Sequence, residues 1–304
     1  MLDNSIDQMR IAITGANSSV GQAFLTYLVN QTDSEITVNA GVRRQAAADT
    51  LPDHPSITPY VIQYGDSASL DHLLDGANCL VHLAGILIEN PSSNYQSANV
   101  DATHAVVEAA QRANVAHIVL VSALGANSLS ANGYYRSKGQ AEDAVTTSSI
   151  AADIIRTPML LGPDTAGAKA LVGMASRSSV KVLAGGEHIL CPLDVDDLSQ
   201  AIRHCCQRGP TRTMTHELVG PEPITHRDLI IATGQLLGQT VSVGSLPVWN
   251  AKLGASIMGL FRRGGITPSV IDVITASETV HHNAGADLGV TLTSLSATLQ
   301  KLVL

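Results

Sequence analysis

An α/β fold, with a doubly wound parallel sheet and a smaller, mainly helical C-terminal lobe, is the architecture that the sequence predicts. Continuous apolar runs, the form that strands take when both faces of a parallel sheet are covered, alternate with stretches of helical spacing. A turn of small residues follows the first run, as at a strand-to-helix connection. The chain has 304 residues, 45% of them hydrophobic and only 14% charged, so it can bury a sizeable core.

Strands and helices alternate through the first half of the chain. Strands are predicted at residues 10–14, 36–42, 60–64, 79–84, 117–122 and 152–156. Helices are predicted at residues 20–30, 68–74, 94–113 and 134–147. This βαβ succession indicates a parallel sheet, whose functional residues are expected at the carboxyl ends of the strands.

The regular alternation ends after residue 156. Pro158, Gly162, Pro163 and Gly167 predict a loop. Beyond it the spacing predicts a strand at 214–219 and helices at 193–207, 225–237, 249–261 and 268–279, with Thr225 as an N-cap. We therefore expect a dinucleotide-binding Rossmann domain over 1–157, with return elements from about 180–220. The smaller lobe is expected over 158–179 and 221–304.

Composition narrows the function classes. The net charge of −8 and pI of about 5.7 give no basic patch for nucleic acid. The four cysteines lack metal-ligand spacing, so no metal site is expected. The first eight residues lack the apolar core of a signal peptide, and no apolar run is long enough to span a bilayer, which predicts a cytoplasmic protein.

The expected binding partner is a small-molecule substrate. The chain is expected to be a monomer or a homodimer, and it could also bind a partner protein. The apolar segment 249–263, which ends in two arginines, has two interpretations. Packing within the lobe is favoured, and contact with a partner or a membrane surface is the alternative.

Tyr134 and Lys138 place a phenol and an ammonium group one helical turn apart on one face. Because a phenol has a pKa of about 10, a neighbouring cation is expected to lower it and make proton transfer possible at neutral pH. Ser122, at the end of the fifth predicted strand, could fix a substrate oxygen, and Ser128 or Ser130 could take that role instead.

The turn after the first strand predicts a phosphate site, because backbone N–H groups and a helix N-terminus point toward it. Its residues are Gly15, Asn17, Ser18, Ser19, Val20 and Gly21. Arg43 and Arg44 stand at the end of the second strand, where an NAD enzyme usually presents a carboxylate to the ribose. Guanidinium groups bind phosphate well, which favours NADP(H) over NAD(H).

These motifs resemble the extended and atypical branches of the short-chain dehydrogenase/reductase superfamily. Thr14, Gly15 and Gly21 match its glycine turn, while Ser18 stands where that pattern has its middle glycine. Similar stretches follow in order at residues 65–66, 81–85, 99–103, 156–163, 192–198 and 218–225. The branch related to the nucleotide-carrying accessory subunit of respiratory complex I is the most similar.

The resemblance implies roles for particular residues. Asp66 would accept a hydrogen bond from the adenine amino group. Leu83, Ala84 and Gly85 would form the wall beside the adenosine ribose. Pro158 would line the nicotinamide side, and Lys138 would hold the nicotinamide ribose. The predicted function is an NADP(H)-dependent oxidoreductase or epimerase-like enzyme acting on a small carbonyl or alcohol, with Ser122, Tyr134 and Lys138 as its catalytic set. The alternative is a non-catalytic NADPH-binding protein with a structural or redox-sensing role.

Overall fold

A computed structural model describes residues 9–31, 36–209, 211–261 and 265–303. The first eight residues and the two arginines at 262 and 263 lie outside these ranges. The strands are β1 Met9–Thr14, β2 Ile36–Val42, β3 Ile57–Val61, β4 Cys79–His82, β5 His117–Ala123, β6 Ala151–Thr157, β7 Leu160–Leu161, β8 Ser179–Leu183, β9 Ile189–Leu190, β10 Leu193–Asp194, β11 Met214–Glu217, β12 Ile224–Thr225 and β13 Ser242–Leu246. The helices are α1 Ser19–Val29, α2 Gln45–Ala48, α3 Ser67–Leu74, α4 Ala102–Arg112, α5 Gly133–Thr146, α6 Ala166–Ala175, α7 Val195–Arg208, α8 His226–Leu236, α9 Val248–Phe261, α10 Pro268–Ile274 and α11 Leu295–Val303.

Seven parallel strands form the central sheet, in the order β11-β6-β5-β4-β1-β2-β3. One apolar cluster joins the sheet to α1 and α7, and a second joins its other face to α3 and α4. The predicted doubly wound α/β fold is therefore confirmed. With only two phenylalanines in the chain, both clusters are made mainly of aliphatic side chains and alanine.

The C-terminal part adds helices and three small strand pairs. In these, β8 pairs with β13, β9 with β12 and β7 with β10. A third apolar cluster, which includes Leu171 of α6 and Leu229 of α8, forms its interior. No helix in the described ranges has both the length and the apolar character needed to cross a bilayer.

The third strand lies three residues earlier than predicted. It spans Ile57–Val61 and pairs with β2 at the edge of the sheet. Proline disfavours strands because it has no backbone N–H to donate. Pro59 is tolerated because an edge strand has one side that needs no hydrogen-bond donor. Residues 62–64 of the predicted segment instead carry the chain out of the sheet, so Tyr64 lies beside the carboxyl ends of β1 and β2.

Predictions in the helical regions were also incomplete, and the helix predicted at 268–279 ends at Ile274. The predicted helix 94–113 opens with a π-helical turn, Gln96–Asp101, before α4 begins. The predicted loop at 158–167 ends in α6, whose N-cap Thr165 accepts the N–H of Ala168. Gly167 does not break this helix, because it packs against the Leu160 carbonyl where a Cβ would come within 2.8 Å.

A buried carboxylate ties together the amino-terminal edge of the sheet. Asp153 of β6 accepts hydrogen bonds from Arg208 at 2.8 and 2.9 Å and from His216 at 2.7 Å, and His117 Nε2 lies 3.0 Å from it. Burial opposes its charge, but these partners hold the pKa of Asp153 well below its usual range. Asp153 therefore links β5, β6, β11 and the end of α7.

We expect Asp153→Asn to lower the free energy of unfolding at pH 7 by about 3 kcal/mol, because it removes the counter-charge of a buried pair. Since the folded pKa is depressed, the wild-type contribution is present above the ordinary pKa of about 3.9 and is lost as pH falls below it. Urea unfolding at several pH values measures both effects. The control Asp164→Asn removes an exposed pair with Lys169 and should cost under about 1 kcal/mol. Equal losses in the two variants would contradict this account.

Candidate nucleotide-binding and catalytic site

The turn after β1 passes close to the end of β4. Gly15 has a φ of +76°, and a Cβ on it would lie 3.0 Å from the Ala84 nitrogen. A Cβ on Gly21 would lie 2.5 Å from the carbonyl oxygens of Gly15 and Ala16. Both positions therefore require glycine, and the turn brings the N-terminus of α1 to the carboxyl edge of the sheet.

Ser18 is the N-cap of α1. Its Oγ accepts the backbone N–H of Gly21 at 3.0 Å, which satisfies one of the donors left free at a helix start. The hydroxyl oxygen that replaces the usual glycine is thus engaged with the helix itself. Ser19, Val20 and Gly21 form the first turn of α1.

A cleft of about 290 Å³ opens at the ends of β1, β2 and β4. Seven predicted cofactor residues line it, namely Gly15, Asn17, Ser18, Arg43, Leu83, Ala84 and Gly85. Tyr64 and three serines at 92, 93 and 97 also line it and were not predicted. No periodicity or motif in the sequence indicates these serines. Ser92 and Ser93 lie in the loop between β4 and the π-helical turn, and Ser97 lies in that turn.

Eight predicted cofactor residues lie outside the cleft lining, namely Ser19, Val20 and Gly21 of α1, Tyr134 and Lys138 of α5, and Arg44, Asp66 and Pro158. Arg44 is the residue before α2, and Asp66 caps α3 by accepting the N–H of Ala68 at 3.1 Å. Pro158 follows β6, where the next residue, Met159, donates its N–H to Glu278 at 2.9 Å. Their contacts to a nucleotide remain predictions.

Tyr134 and Lys138 lie one turn apart at the start of α5. Asn132 caps this helix, because its Oδ1 accepts the N–H groups of Tyr134 and Tyr135 at 3.0 and 3.4 Å. Lys138 is buried, and its Nζ donates to the Val121 carbonyl at 3.0 Å. A Cβ on Gly85 would lie 3.7 Å from that Nζ, so the ammonium group reaches the wall of the cleft.

Burial dominates the titration of both groups. It raises the pKa of Tyr134 above its usual range, with Tyr135 and Tyr95 adding to the rise. It lowers the pKa of Lys138 to about 8, although Glu142 opposes that change. The expected lowering of the Tyr134 pKa by Lys138 is therefore wrong for this arrangement, because loss of hydration outweighs the cation. The phenol is protonated at neutral pH and suited to donate.

Ser122 is engaged with a buried acid. Its Oγ donates to Glu142 at 2.5 Å, and Glu142 also accepts from Arg156 at 3.0 and 2.6 Å. The hydroxyl therefore points toward Glu142. Its place beside the Tyr134 phenol stays a prediction. Of the alternatives, Ser130 accepts the N–H of Asn132 at 3.2 Å, next to the cap of α5.

A chain of hydrogen bonds beneath the cleft was missed. Thr103 donates its hydroxyl proton to the Asn99 carbonyl at 2.6 Å, so it accepts from His82 Nε2 at 3.0 Å. His82 Nδ1 then accepts from Thr14 at 2.5 Å, and Tyr64 bonds to Thr14. Burial and the charge of Lys138 lower the pKa of His82 to about 3, which keeps the imidazole neutral.

Asn99 holds the cleft wall against α5. Its side chain accepts the Ile86 N–H at 2.8 Å and donates to the Ile86 carbonyl at 3.1 Å. The same amide donates to Ser137 Oγ at 2.9 Å. Asn99 stands in the π-helical turn, a distortion that often marks functional sites. Its motif was recognised in the sequence, but this bridging role needs three-dimensional contacts.

Comparisons with known proteins agree with this geometry. The sequence model of the NAD(P)H-binding family matches residues 15–182. A curated relative from Caulobacter vibrioides, named ceramide reductase, is 25% identical over 276 residues, which cover 89% of this chain and 84% of that protein.

Two solved structures are similar over nearly the whole chain. The Citrobacter sp. triphenylmethane reductase complexed with NADP(H) has a TM-score of 0.74 and 21% identity, over 96% of this chain and 99% of that one. MoeE5 in complex with UDP-glucose and NAD has a TM-score of 0.74 and 18% identity, over 97% of each chain. These identities show the fold alone. The resemblance to NAD(P)-dependent reductase- and epimerase-like proteins is confirmed, while the complex I branch stays a prediction.

We expect Ser18→Gly to lower the free energy of unfolding by only about 0.3 kcal/mol, because glycine is a tolerated N-cap, and to leave nucleotide affinity equal or higher. Ser18→Ala should cost about 1 kcal/mol, since it loses the cap without gaining glycine's freedom. Urea unfolding and fluorescence titration with NADPH measure the two effects. A tenfold loss of affinity in Ser18→Gly would show that the hydroxyl itself is a ligand.

Proposed function

The chain belongs to the NAD(P)H-binding family, and we propose that it is an NADP(H)-dependent oxidoreductase that reduces a carbonyl group on a lipid-like substrate. The observation that carries the proposal is the placement of Tyr134 and Lys138 on one turn of α5, with the Lys138 ammonium at the cleft wall beside Gly85. A neutral phenol is a proton donor, which favours the reductive direction.

The proposed chemistry divides between the nucleotide and the chain. NAD(P)H, when bound, supplies the hydride. Tyr134 donates its proton to the substrate oxygen as negative charge develops there. Lys138, whose pKa of about 8 leaves it mostly charged at pH 7, stabilises the phenolate that remains. We further propose that Lys138 holds the nicotinamide ribose and that Ser122, released from Glu142, orients the substrate oxygen.

The preference for NADP(H) rests on Arg43. Its exposed side chain lines the cleft at the end of β2 and lies close enough to Tyr64 to favour the phenolate form of that residue. Residues 40–44 contain no carboxylate that could bind the ribose 2′-hydroxyl of NAD. A guanidinium group at this place suits a ribose 2′-phosphate.

The substrate class follows from two observations. The relative named ceramide reductase is matched over most of the chain, and ceramides are long-chain lipids. Exposed apolar side chains, among them Trp249 and Leu253, lie on α9, which packs against α10, the helix that contacts α5. Both favour a carbonyl carried by an alkyl-chain molecule.

A second candidate, a protein that holds NADPH without turnover, is favoured by one observation. The Ser122 hydroxyl is bound to Glu142, so the proposed catalytic set is incomplete in this arrangement. Native mass spectrometry separates the candidates, because a structural nucleotide should co-purify and resist exchange.

We expect Tyr134→Phe to reduce turnover of a long-chain ketone with NADPH by about 10²–10⁴-fold, because only the titrating oxygen is removed. NADPH affinity should stay within about twofold. Steady-state kinetics and fluorescence titration measure the two quantities. Tyr135→Phe is the matched control and should keep nearly full activity. Full activity in Tyr134→Phe would overturn the proton-transfer role.

We expect Arg43→Ala to weaken NADPH binding by about 1.5–3 kcal/mol, the range for a hydrogen bond to a charged group, and to leave NADH binding nearly unchanged. Arg44→Ala is the comparison variant, and its loss of NADPH affinity should be smaller because Arg44 lies outside the cleft lining. Parallel titrations with both nucleotides test the difference. Equal affinity of the wild-type protein for NADPH and NADH would contradict the assignment.

A further inference from the structure

Large apolar side chains are exposed around the start of α5. Trp249 and Leu253 of α9 are 67% and 55% exposed, and their spacing of four residues puts them on one helix face. Ile266 and Ile274, before and within α10, are 59% and 40% exposed. Leu129, in the loop between β5 and α5, is 91% exposed.

Hydrogen bonds join the segments that carry these side chains. The Asn132 side chain, which caps α5, donates to the Ser269 carbonyl of α10 at 2.9 Å. Gly265 donates its N–H to the Glu89 carbonyl at 3.2 Å, next to Ile88, which is 44% exposed. The loop around Ile88, the loop around Leu129 and the pair α9–α10 therefore meet around Tyr134. We call the side chains of Ile88, Leu129, Trp249, Leu253, Ile266 and Ile274 the apolar rim.

Charged groups near the rim already have partners within the chain. Lys252 forms an ion pair with Asp272, and Glu89 accepts the N–H of Tyr95 at 2.8 Å. Arg136 donates to the carbonyls of Ser130 and Ala131 at 2.8 and 3.2 Å, yet stays exposed beside Leu129. Among the described residues, the rim thus offers apolar groups, an indole and the exposed guanidinium group of Arg136. This combination suits the interface of a bilayer, where apolar chains and phosphate groups lie within a few ångströms of each other.

We propose that the apolar rim docks on the surface of a lipid bilayer and receives the alkyl-chain substrate from it. This inference rests on the proposed function, since a lipid carbonyl resides in a bilayer and must reach Tyr134 from there. Docking would bring the start of α5 to the bilayer, so that the alkyl chains pass from lipid to rim without crossing water. The cost of exposing each methylene group to water is thereby avoided.

Trp249 is the only tryptophan of the chain and reports on this contact directly. Full-length protein is titrated with vesicles of phosphatidylcholine, with and without phosphatidylglycerol. We expect a blue shift of the Trp249 emission, and quenching by brominated phosphatidylcholine. The variant Leu129→Ser/Leu253→Ser keeps the reporter and should weaken partitioning by about tenfold for each leucine that inserts. The control Val61→Ser/Leu236→Ser changes two exposed residues on other elements and should bind as the wild-type protein does.

The outcomes separate docking from catalysis. An unchanged Trp249 spectrum with both vesicle types would overturn docking, as would equal binding by the two double variants. A shift that depends on protein concentration without vesicles, together with dimers in sedimentation, would assign the rim to a second copy instead. Turnover of a short-chain ketone in buffer tests the proposed function separately. Its presence without vesicle binding rejects docking alone, and its absence with vesicle binding rejects the reductase alone.

Discussion

The site depends on the two hydrogen bonds that the neutral imidazole of His82 forms. The ring joins the end of β1, through Thr14, to the first turn of α4, through Thr103. The turn after β1 lies directly above this bond, where Gly15 leaves room only for a hydrogen against Ala84. Protonation would place a second charge near Lys138 and remove the acceptor that Thr14 needs. Because the pKa of His82 is held at about 3, the cleft floor keeps one arrangement at physiological pH.

Loss of hydration sets the electrostatics of the catalytic pair. The pKa of Tyr134 rises and that of Lys138 falls, so each group is biased toward its uncharged form. An anionic nucleotide in the cleft would favour the charged form of Lys138, and a charged Lys138 in turn favours the phenolate. Proton donation by Tyr134 is therefore coupled to occupation of the cleft. Burial keeps the phenol protonated in the free protein, and a charged Lys138 then lowers the cost of forming the phenolate as the proton leaves.

The elements with strong local sequence signals were predicted correctly. The strands β1, β2 and β5 are mainly apolar, and the cap at Thr225 and the small-residue turn have clear residue preferences. Pro59 displaced the prediction of β3, because a single sequence does not show that this strand lies at an edge. The engagement of Ser122 by Glu142 was also beyond reach, since the two residues stand on different elements and their pairing depends on Arg156. The N-cap role of Ser18 was not predicted, because the family pattern relates this position to the phosphate and not to the start of the helix.

Helices α9 and α10 form what we call the helical cover, in which α10 contacts α5. The cover bears on two requirements that the proposed reductase of lipids would have to meet together. Proton transfer from Tyr134 requires exclusion of water, yet a long-chain substrate needs a wide and apolar route to the same atom. Here the cover is fastened by a few polar bonds, such as Asn132 to Ser269, while its outer surface stays apolar. A bond of this kind is worth only about 0.5–1.5 kcal/mol, so it adds little by itself to the stability of the contact. Under the proposed function, the exposed hydrophobic side chains, which would lower the solubility of a protein acting in water alone, lie where a long-chain substrate would enter.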